Sequence, residues 1–239
     1  MARKKAVILL SGGIDSATAA AIARDNYFDL YALTFRYGQR HEREIKSAIR
    51  VGVWLRVEEH IIIDADLRAI GGSALTDRIE VPKGRSRSQI EHGIPITYVP
   101  ARNTIFLAYG LALTEKIAAS DIFFGANQLD YSGYPDCREE YVRAFEKMAD
   151  LATKAAVEGK VRLKINTPLI QMTKAEIIKQ GNQLGLDYGL TWSCYDPTDD
   201  GKACALCDSC QLRLKGFKEA GLSDPIAYAS SQVRSSDAP

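Results

Sequence analysis

The chain has 239 residues, with 46% hydrophobic and 26% charged side chains and a formal net charge of +1. This mixture is ordinary for a soluble globular protein, and the length suffices for one α/β domain with a large core and room for a small appendage. The near-neutral charge offers no footing for a polyanionic partner, and no apolar run approaches the ~20 residues of a membrane span.

In chain order, the run "KKAVILL" predicts a buried strand near Ala6–Leu10, followed directly by "SGGIDSATAA" and a helix over Asp15–Asp25. The basic start "MARKK" precedes only "AVILL", too short for the apolar core of a signal peptide, so a cytoplasmic protein is expected. Further strands are predicted near Leu30–Phe35, His60–Asp64, Asp121–Gly125 and Val161–Ile165, with helices near Arg40–Leu55 and Asn103–Ala118. Such alternation predicts an α/β fold: a parallel five-stranded, Rossmann-like sheet with helices on both faces and ligands beyond the strands' C-terminal ends.

Residues 71–98 show neither period and read as a basic, flexible insertion, either a lid or a surface loop. Tyr141, Phe145, Met148, Ala152 and Ala155 predict one amphipathic helix over 138–157. Thr173 and Glu176 form a capping-box pattern that opens another helix, with Lys174 as its first residue. The last residues, "ASSQVRSSDAP", read as a frayed tail.

Four stretches suggest chemistry. In the first, Ser11, Gly12 and Gly13 free the backbone to aim several N–H groups at one point, while the following helix adds its positive end and Ser16 and Thr18 add hydroxyls. That suits a polyphosphate, although a plain strand-to-helix turn has the same spacing. Small residues (Ala17, Ala19, Ala20, Ala21, Ala23) would let this helix approach the sheet closely, although the helix propensity of alanine accounts for any one of them as well. In the second, a lysine at the first position of a helix is opposed by the helix dipole, so Lys174 is either solvated or part of an anion site.

The third is the set Cys194, Cys204, Cys207 and Cys210, four of the chain's five cysteines. Two C-x-x-C steps with an upstream partner fit a closed thiolate site for zinc, or alternatively an iron–sulfur centre. Lys202, Arg213, Lys215 and Lys218 are expected to offset its negative charge, and Cys137 stands apart. The fourth is "GANQLDYSGYPDCREEY", where Asp130 and Asp136 are able to accept paired N–H groups of a guanine-like ring. There Tyr131 and Tyr134 offer stacking faces and Arg138 a partner for a carboxylate, yet an ordinary polar loop fits as well.

"SGGIDS" resembles the signature of the PP-loop ATP pyrophosphatases, within the adenine-nucleotide alpha-hydrolase-like fold. The resemblance implies that Leu10, Ser11, Gly12, Gly13, Ile14, Asp15, Ser16, Ala17, Thr18, Ala19 and Ala20 bind ATP. The turn would grip the β,γ-pyrophosphate and leave the α-phosphorus open to attack. It further implies Ser11, Asp15, Ser16 and Lys174 as the catalytic set, and magnesium on the phosphates with Asp15 as ligand or organiser.

The strings "LLSGGIDSATAA", "TFRYGQRHERE", "YVPARNTIFL", "GANQLDYSGYPDCREEYVRAFE", "TPLIQMTKAEII" and "LTWSCYD…CALCDSCQLRLKGF" together resemble the 7-cyano-7-deazaguanine synthases of queuosine biosynthesis. They cover nearly all of the chain except 66–96 and the tail; the arginine-rich stretch 83–90 departs from the pattern. The resemblance implies ATP, ammonia and 7-carboxy-7-deazaguanine as substrates, structural zinc at the four cysteines, and a cytoplasmic homodimer touching neither membrane nor nucleic acid. Position and charge make Arg102, Asn103, Asp130, Tyr131, Asp136 and Arg138 candidate substrate contacts. Residues 1–185 are expected to form the ATP-handling part, with 186–239 a zinc-binding helical segment integral to it. The alternative is a PP-loop tRNA sulfurtransferase with a metal or iron–sulfur centre, which calls for a basic RNA face.

Overall fold

Strand β1 (Lys4–Leu9) lies at the centre of the protein because both of its faces are apolar. Ala6 and Ile8 join one buried cluster, and Val7 and Leu9 the opposite one, as alternation along a pleated strand requires. The computed structural model describes residues 3–86, 89–90, 93–127 and 134–229.

Helix α1 (Ile14–Asp25), β2 (Phe28–Arg36), α2 (Arg43–Leu55) and β3 (Glu59–Asp64) follow β1. After a long segment come α3 (Arg102–Ile117), β4 (Asp121–Phe123), α4 (Glu139–Ala152), the single turn α5 (Lys154–Val157) and β5 (Lys164–Asn166). Helices α6 (Lys174–Gln183) and α7 (Asp208–Ala220) complete the order. The five strands are parallel, in the order β3–β2–β1–β4–β5. The chain therefore winds outward from β1 to β3 and returns to pair β4 on the other side of β1. That reversal opens a crevice past the C-terminal ends of β1 and β4, where parallel sheets bind ligands.

The five-stranded sheet is as the sequence predicts, with shifted edges. β5 is Lys164–Asn166, and the preceding residues are held by Asp150, whose Oδ1 accepts from Leu163 N at 3.2 Å. The alanines of α1 are all buried between the sheet and its neighbours. Ser16 lies so close to β4 that a Cβ on Gly125 would stand 2.8 Å from its backbone nitrogen.

Two expectations are corrected. The helix of 138–157 breaks at Thr153, which is extended, and its buried stripe is Val142, Phe145 and Ala149, leaving Met148 43% exposed. A stripe at steps of three and four is fixed by its first member, and that member is Val142, not Tyr141. The insertion 71–98 is anchored at points along its described residues: Ser73, Ala74, Leu75, Thr76, Val81 and Thr97 are buried, while Ile94 and Ile96 are exposed. Arg40 Nε donates to Ala74 O at 2.9 Å, and Lys83 bridges to Cys207. Irregular backbone held by side chains carries no period, which is why the sequence suggests looseness here. Of the expected tail, only Ala229 is described, and its N donates to Ala203 O at 2.9 Å. The rest of the expected tail, 230–239, lies outside the described residues.

Candidate functional site

The turn after β1 is shaped by one backbone requirement. Gly12 has φ +86°, and a Cβ there would stand 2.4 Å from Glu44 O and 2.6 Å from Ala48 N. Only glycine permits both that conformation and the seating of α2 on the turn. Trp192 N donates to Gly12 O at 2.9 Å, so the C-terminal segment grips the same residue from the other side. Ser16 Oγ accepts from Ser11 N at 3.2 Å, donates to Gly13 O at 3.2 Å and lies 3.0 Å from Ser11 Oγ. The two serines thereby brace the turn. Gly13 is the N-cap of α1 and no side chain caps the helix, so its first N–H groups are directed to the crevice, as an anion needs.

A cleft with about 230 Å³ of free volume opens there. Leu10, Ser11, Gly13, Ile14, Asp15 and Ser16 line it. The remaining candidates of the turn do other work: Ala17, Ala19 and Ala20 belong to the core. Thr18 is fully buried, with Oγ1 2.9 Å from both Ile14 O and Tyr188 OH. Its hydroxyl braces α1 against Tyr188 instead of facing the cleft, which corrects the expectation of a phosphate donor.

Lys174 reaches the cleft from the start of α6, whose capping box forms as predicted: Glu176 N donates to Thr173 Oγ1 at 3.3 Å, and Thr173 N to Glu176 Oε2 at 2.8 Å. Its ammonium binds both Asp15 carboxylate oxygens, at 2.6 and 2.8 Å. Gly216 makes this reach possible, since a Cβ there would lie 2.4 Å from Lys174 Cγ. The lysine is buried rather than solvated, and an ion pair beside an uncapped helix start can open to receive phosphate oxygens.

Much of the remaining lining is aromatic. Tyr37, Phe106, Tyr134, Trp192 and Tyr195 line the cleft with Glu44, Arg102 and Asn103. Phe106 stacks on Phe35 with centroids 3.9 Å apart, and the Arg102 guanidinium lies 5.6 Å from the Tyr37 ring centroid. Burial pushes the Tyr37 phenol up and pushes Glu44 up to about 7, the latter opposed by Arg102. Asp136 is placed behind this wall: its Oδ2 accepts from Asn103 N at 3.3 Å at the start of α3, while Oδ1 is buried without a partner. Burial raises its carboxyl, again against Arg102. Arg138 is exposed at the N-cap of α4 and does not line the cleft. Asp130 and Tyr131 lie outside the described residues. Glu44, Tyr37 and Trp192 are cleft residues that residue-by-residue reading misses. The available signal was position: the polar run "YGQRHERE" follows the C-terminal end of β2.

Cys194, Cys204, Cys207 and Cys210 are all buried, with their sulfurs within 4.8 Å of one another and Cys204 and Cys210 3.9 Å apart. A tetrahedral ion with bonds of ~2.3 Å to sulfur needs edges of ~3.8 Å, so the four thiols fit a single metal ion. Backbone amides support the thiolates: Cys204 N donates to Cys194 Sγ at 3.2 Å and Cys207 N to Cys204 Sγ at 3.3 Å. The expected compensating cations are committed elsewhere. Lys202 pairs with Asp200, Lys215 with Glu219, and Arg213 with Asp224. Lys218 is exposed in the last turn of α7, two turns beyond Cys210. Lys83, paired with Asp196 at 2.6 Å, is the cation beside Cys194 and Cys204. Cys137 is separate, lining the cleft.

An uncapped glycine turn at the switch point of a parallel sheet, with a lysine drawn to it from far along the chain, defines an ATP-utilising protein of the PP-loop class. Residues 5–221 match the family described as "QueC: Queuosine biosynthesis protein QueC", and the chain belongs to that family. It is 62% identical over 227 residues to a 7-cyano-7-deazaguanine synthase of Paramagnetospirillum magneticum, covering 95% of this chain and all of that one. A synthase of the same name from Syntrophus aciditrophicus is 60% identical, covering 93% and 96%. Among solved structures, an NMN synthetase from Francisella tularensis is similar with a TM-score of 0.49 and 17% identity over 93% of this chain and 88% of that one, too distant to bear on chemistry.

Proposed function

We propose that this chain converts 7-carboxy-7-deazaguanine and ammonia into 7-cyano-7-deazaguanine by two successive adenylations, each consuming ATP and releasing AMP and pyrophosphate. The observation that carries the reading is one cleft lined both by an uncapped helix start beside Lys174 and by aromatic residues together with Arg102 and Asn103. The identity to the named relatives supports the substrate.

A carboxylate resists amidation because oxide is a poor leaving group. Attack of its oxygen on the α-phosphorus breaks the bond to pyrophosphate and gives an acyl adenylate, from which ammonia displaces AMP to form the amide. The amide oxygen then attacks a second ATP in the same way, and loss of AMP leaves the nitrile. The first-turn amides of α1 hold the leaving pyrophosphate, Ser11 and Ser16 keep the turn rigid, and Lys174 transfers from Asp15 to the phosphates. Positioning and charge carry this chemistry. Arg102 and Asn103 face the substrate's polar edge, and Tyr37, Phe106 and Trp192 offer apolar faces to its ring.

Magnesium arriving with ATP supplies charge neutralisation at the phosphates, with Asp15 the carboxylate beside them. Cys194, Cys204, Cys207 and Cys210 would hold zinc, whose closed thiolate set serves folding. On this reading residues 186–239 act as an integral part of the ATP-handling unit formed by 1–185, since Trp192 is bonded to Gly12. No helix among the described residues is long and apolar enough to cross a membrane. The reading takes the enzyme to be a cytoplasmic homodimer and a ligase forming C–N bonds; sedimentation of the purified chain tests the dimer.

The deciding experiment incubates the protein with ATP, magnesium, ammonium and 7-carboxy-7-deazaguanine and follows products by mass. Nitrile with two AMP for each molecule formed is expected. ATP turnover that requires tRNA, or a visible absorption band from an iron–sulfur centre, would overturn the reading in favour of a sulfurtransferase.

A further inference from the structure

The cleft holds a carboxylate that the phosphate-binding turn does not use. Glu44, second residue of α2, lines the cleft together with the turn and Arg102. Close packing places it there: the 2.4 Å separation between Glu44 O and the Cβ that Gly12 lacks means that the first turn of α2 rests on the phosphate turn itself. We propose that Glu44 is the catalytic base that removes the N–H protons released as ammonia becomes amide and amide becomes nitrile. This assignment rests on the function proposed above.

The proton balance creates the need. Adenylating a carboxylate releases no proton. Adding ammonia to the acyl adenylate forms a C–N bond, breaks the C–O bond to AMP, and frees one proton. Adenylating the amide oxygen forms an O–P bond and expels pyrophosphate. Breaking the C–O bond to the second AMP, which leaves with the electron pair, then gives the nitrile as two N–H protons depart. Nothing is oxidised or reduced, and every proton is lost from nitrogen, after adenylation.

Few groups can take those protons. Among the described residues lining the cleft, the carboxylates are Asp15 and Glu44, and no histidine is present. Asp15 serves the phosphates: it holds Lys174 through both oxygens here, and in the function proposed above it is the carboxylate beside the magnesium that arrives with ATP. The Cys137 thiol is pushed up to about 12, chiefly by burial, and the Tyr37 phenol upward by the same cause. His41, nearby on the approach to α2, holds its Nε2 2.8 Å from Cys194 O. Arg102 from α3 and Tyr37 from the loop after β2 are the charged and titratable groups acting on Glu44. Held between burial and Arg102, Glu44 changes protonation close to neutral pH, where a general base is most effective.

Glu44→Gln and Glu44→Asp separate the steps. Exchange of pyrophosphate into ATP, with 7-carboxy-7-deazaguanine and no ammonia, reads the first adenylation and reports intact folding. Nitrile formation reads the proton-releasing steps. The Gln variant should keep exchange within about threefold and lose about 10²-fold or more in nitrile formation. In the wild type kcat should rise with pH through an apparent pKa near 7. The Gln variant should lack that limb, and the Asp variant should recover part of the rate with the limb moved. Equal losses in exchange and nitrile formation would make Glu44 a binding residue and overturn the proposal, as would undiminished nitrile formation in the Gln variant. A wild type that forms no nitrile from these reagents refutes the function itself, and the assignment with it.

Discussion

Replacing Gly12 by alanine tests the packing on which the whole site depends. At φ +86° an L-residue is strained by ~1–2 kcal/mol. The new Cβ would also stand 2.4 Å from Glu44 O and 2.6 Å from Ala48 N, both backbone atoms that no rotamer change can move aside. The turn or α2 must retreat by roughly 0.6 Å before the closer contact becomes tolerable, an overpacking that costs ~1–3 kcal/mol. The sum is about 2–5 kcal/mol, or a fall of roughly 4–10 °C in Tm for a chain of this size. A displacement of that order in a turn that positions the α-phosphorus should lower kcat by about 10²-fold. Gly13→Ala is the control: φ is −82° and its Cβ would meet Ser11 Oγ and Trp192 O at 3.6 and 3.7 Å, ordinary contacts. Compared on stability alone, since Gly13 lines the cleft, it should lie within about 1 kcal/mol of wild type. Thermal and urea unfolding of both variants, with pyrophosphate-exchange kinetics for Gly12→Ala, provide the measurements. A Gly12→Ala protein that melts with the wild type, or a Gly13→Ala protein equally destabilised, would refute the reasoning.

Cys207→Ala should lose bound metal and thermal stability together, read by metal analysis and calorimetry; a stable variant with full metal content would remove the folding role of the cluster. Asp136→Asn should raise the KM for 7-carboxy-7-deazaguanine far more than that for ATP, because Asp136 receives Asn103 N behind the aromatic wall and not behind the phosphate turn. Equal changes in both constants would count against it. The Glu44 carboxyl is raised from an ordinary 4.5 to about 7, so the folded state favours its protonated form. Its share of stability is complete below about pH 4.5 and is lost as pH rises through 7. Glu44→Gln removes this fall and should be the more stable protein at pH 8 by at most about 3 kcal/mol, the side chain being only partly buried; identical unfolding curves at pH 5 and pH 8 for the two proteins would show otherwise.

Local pattern and spacing determined a good deal. The alternation of apolar runs defined five parallel strands. The capping box at Thr173 and Glu176 depends on residues three apart, and the cysteine spacing on a short loop. Each was legible because its partners are near in sequence. The glycine turn was legible for another reason: a backbone that must bend and expose its N–H groups admits few residue types.

Only the tertiary structure decided what converges on that turn. Asp15 and Lys174 are 159 positions apart and become an ion pair because α1 and α6 pack together, with Gly216 leaving room for the lysine stem. Thr18, a phosphate donor by sequence, turns inward to Tyr188, 170 positions away. The insertion at 71–98 looks loose because irregular backbone has no period, yet Arg40 and Cys207 hold it in place. Glu44 looks like any helix-surface acid until the sheet order brings α2, Arg102 and Tyr37 to one cleft. Periodicity encodes which face of an element is buried; which faces then meet is set by strand order and close packing, and the chemistry arises where they meet.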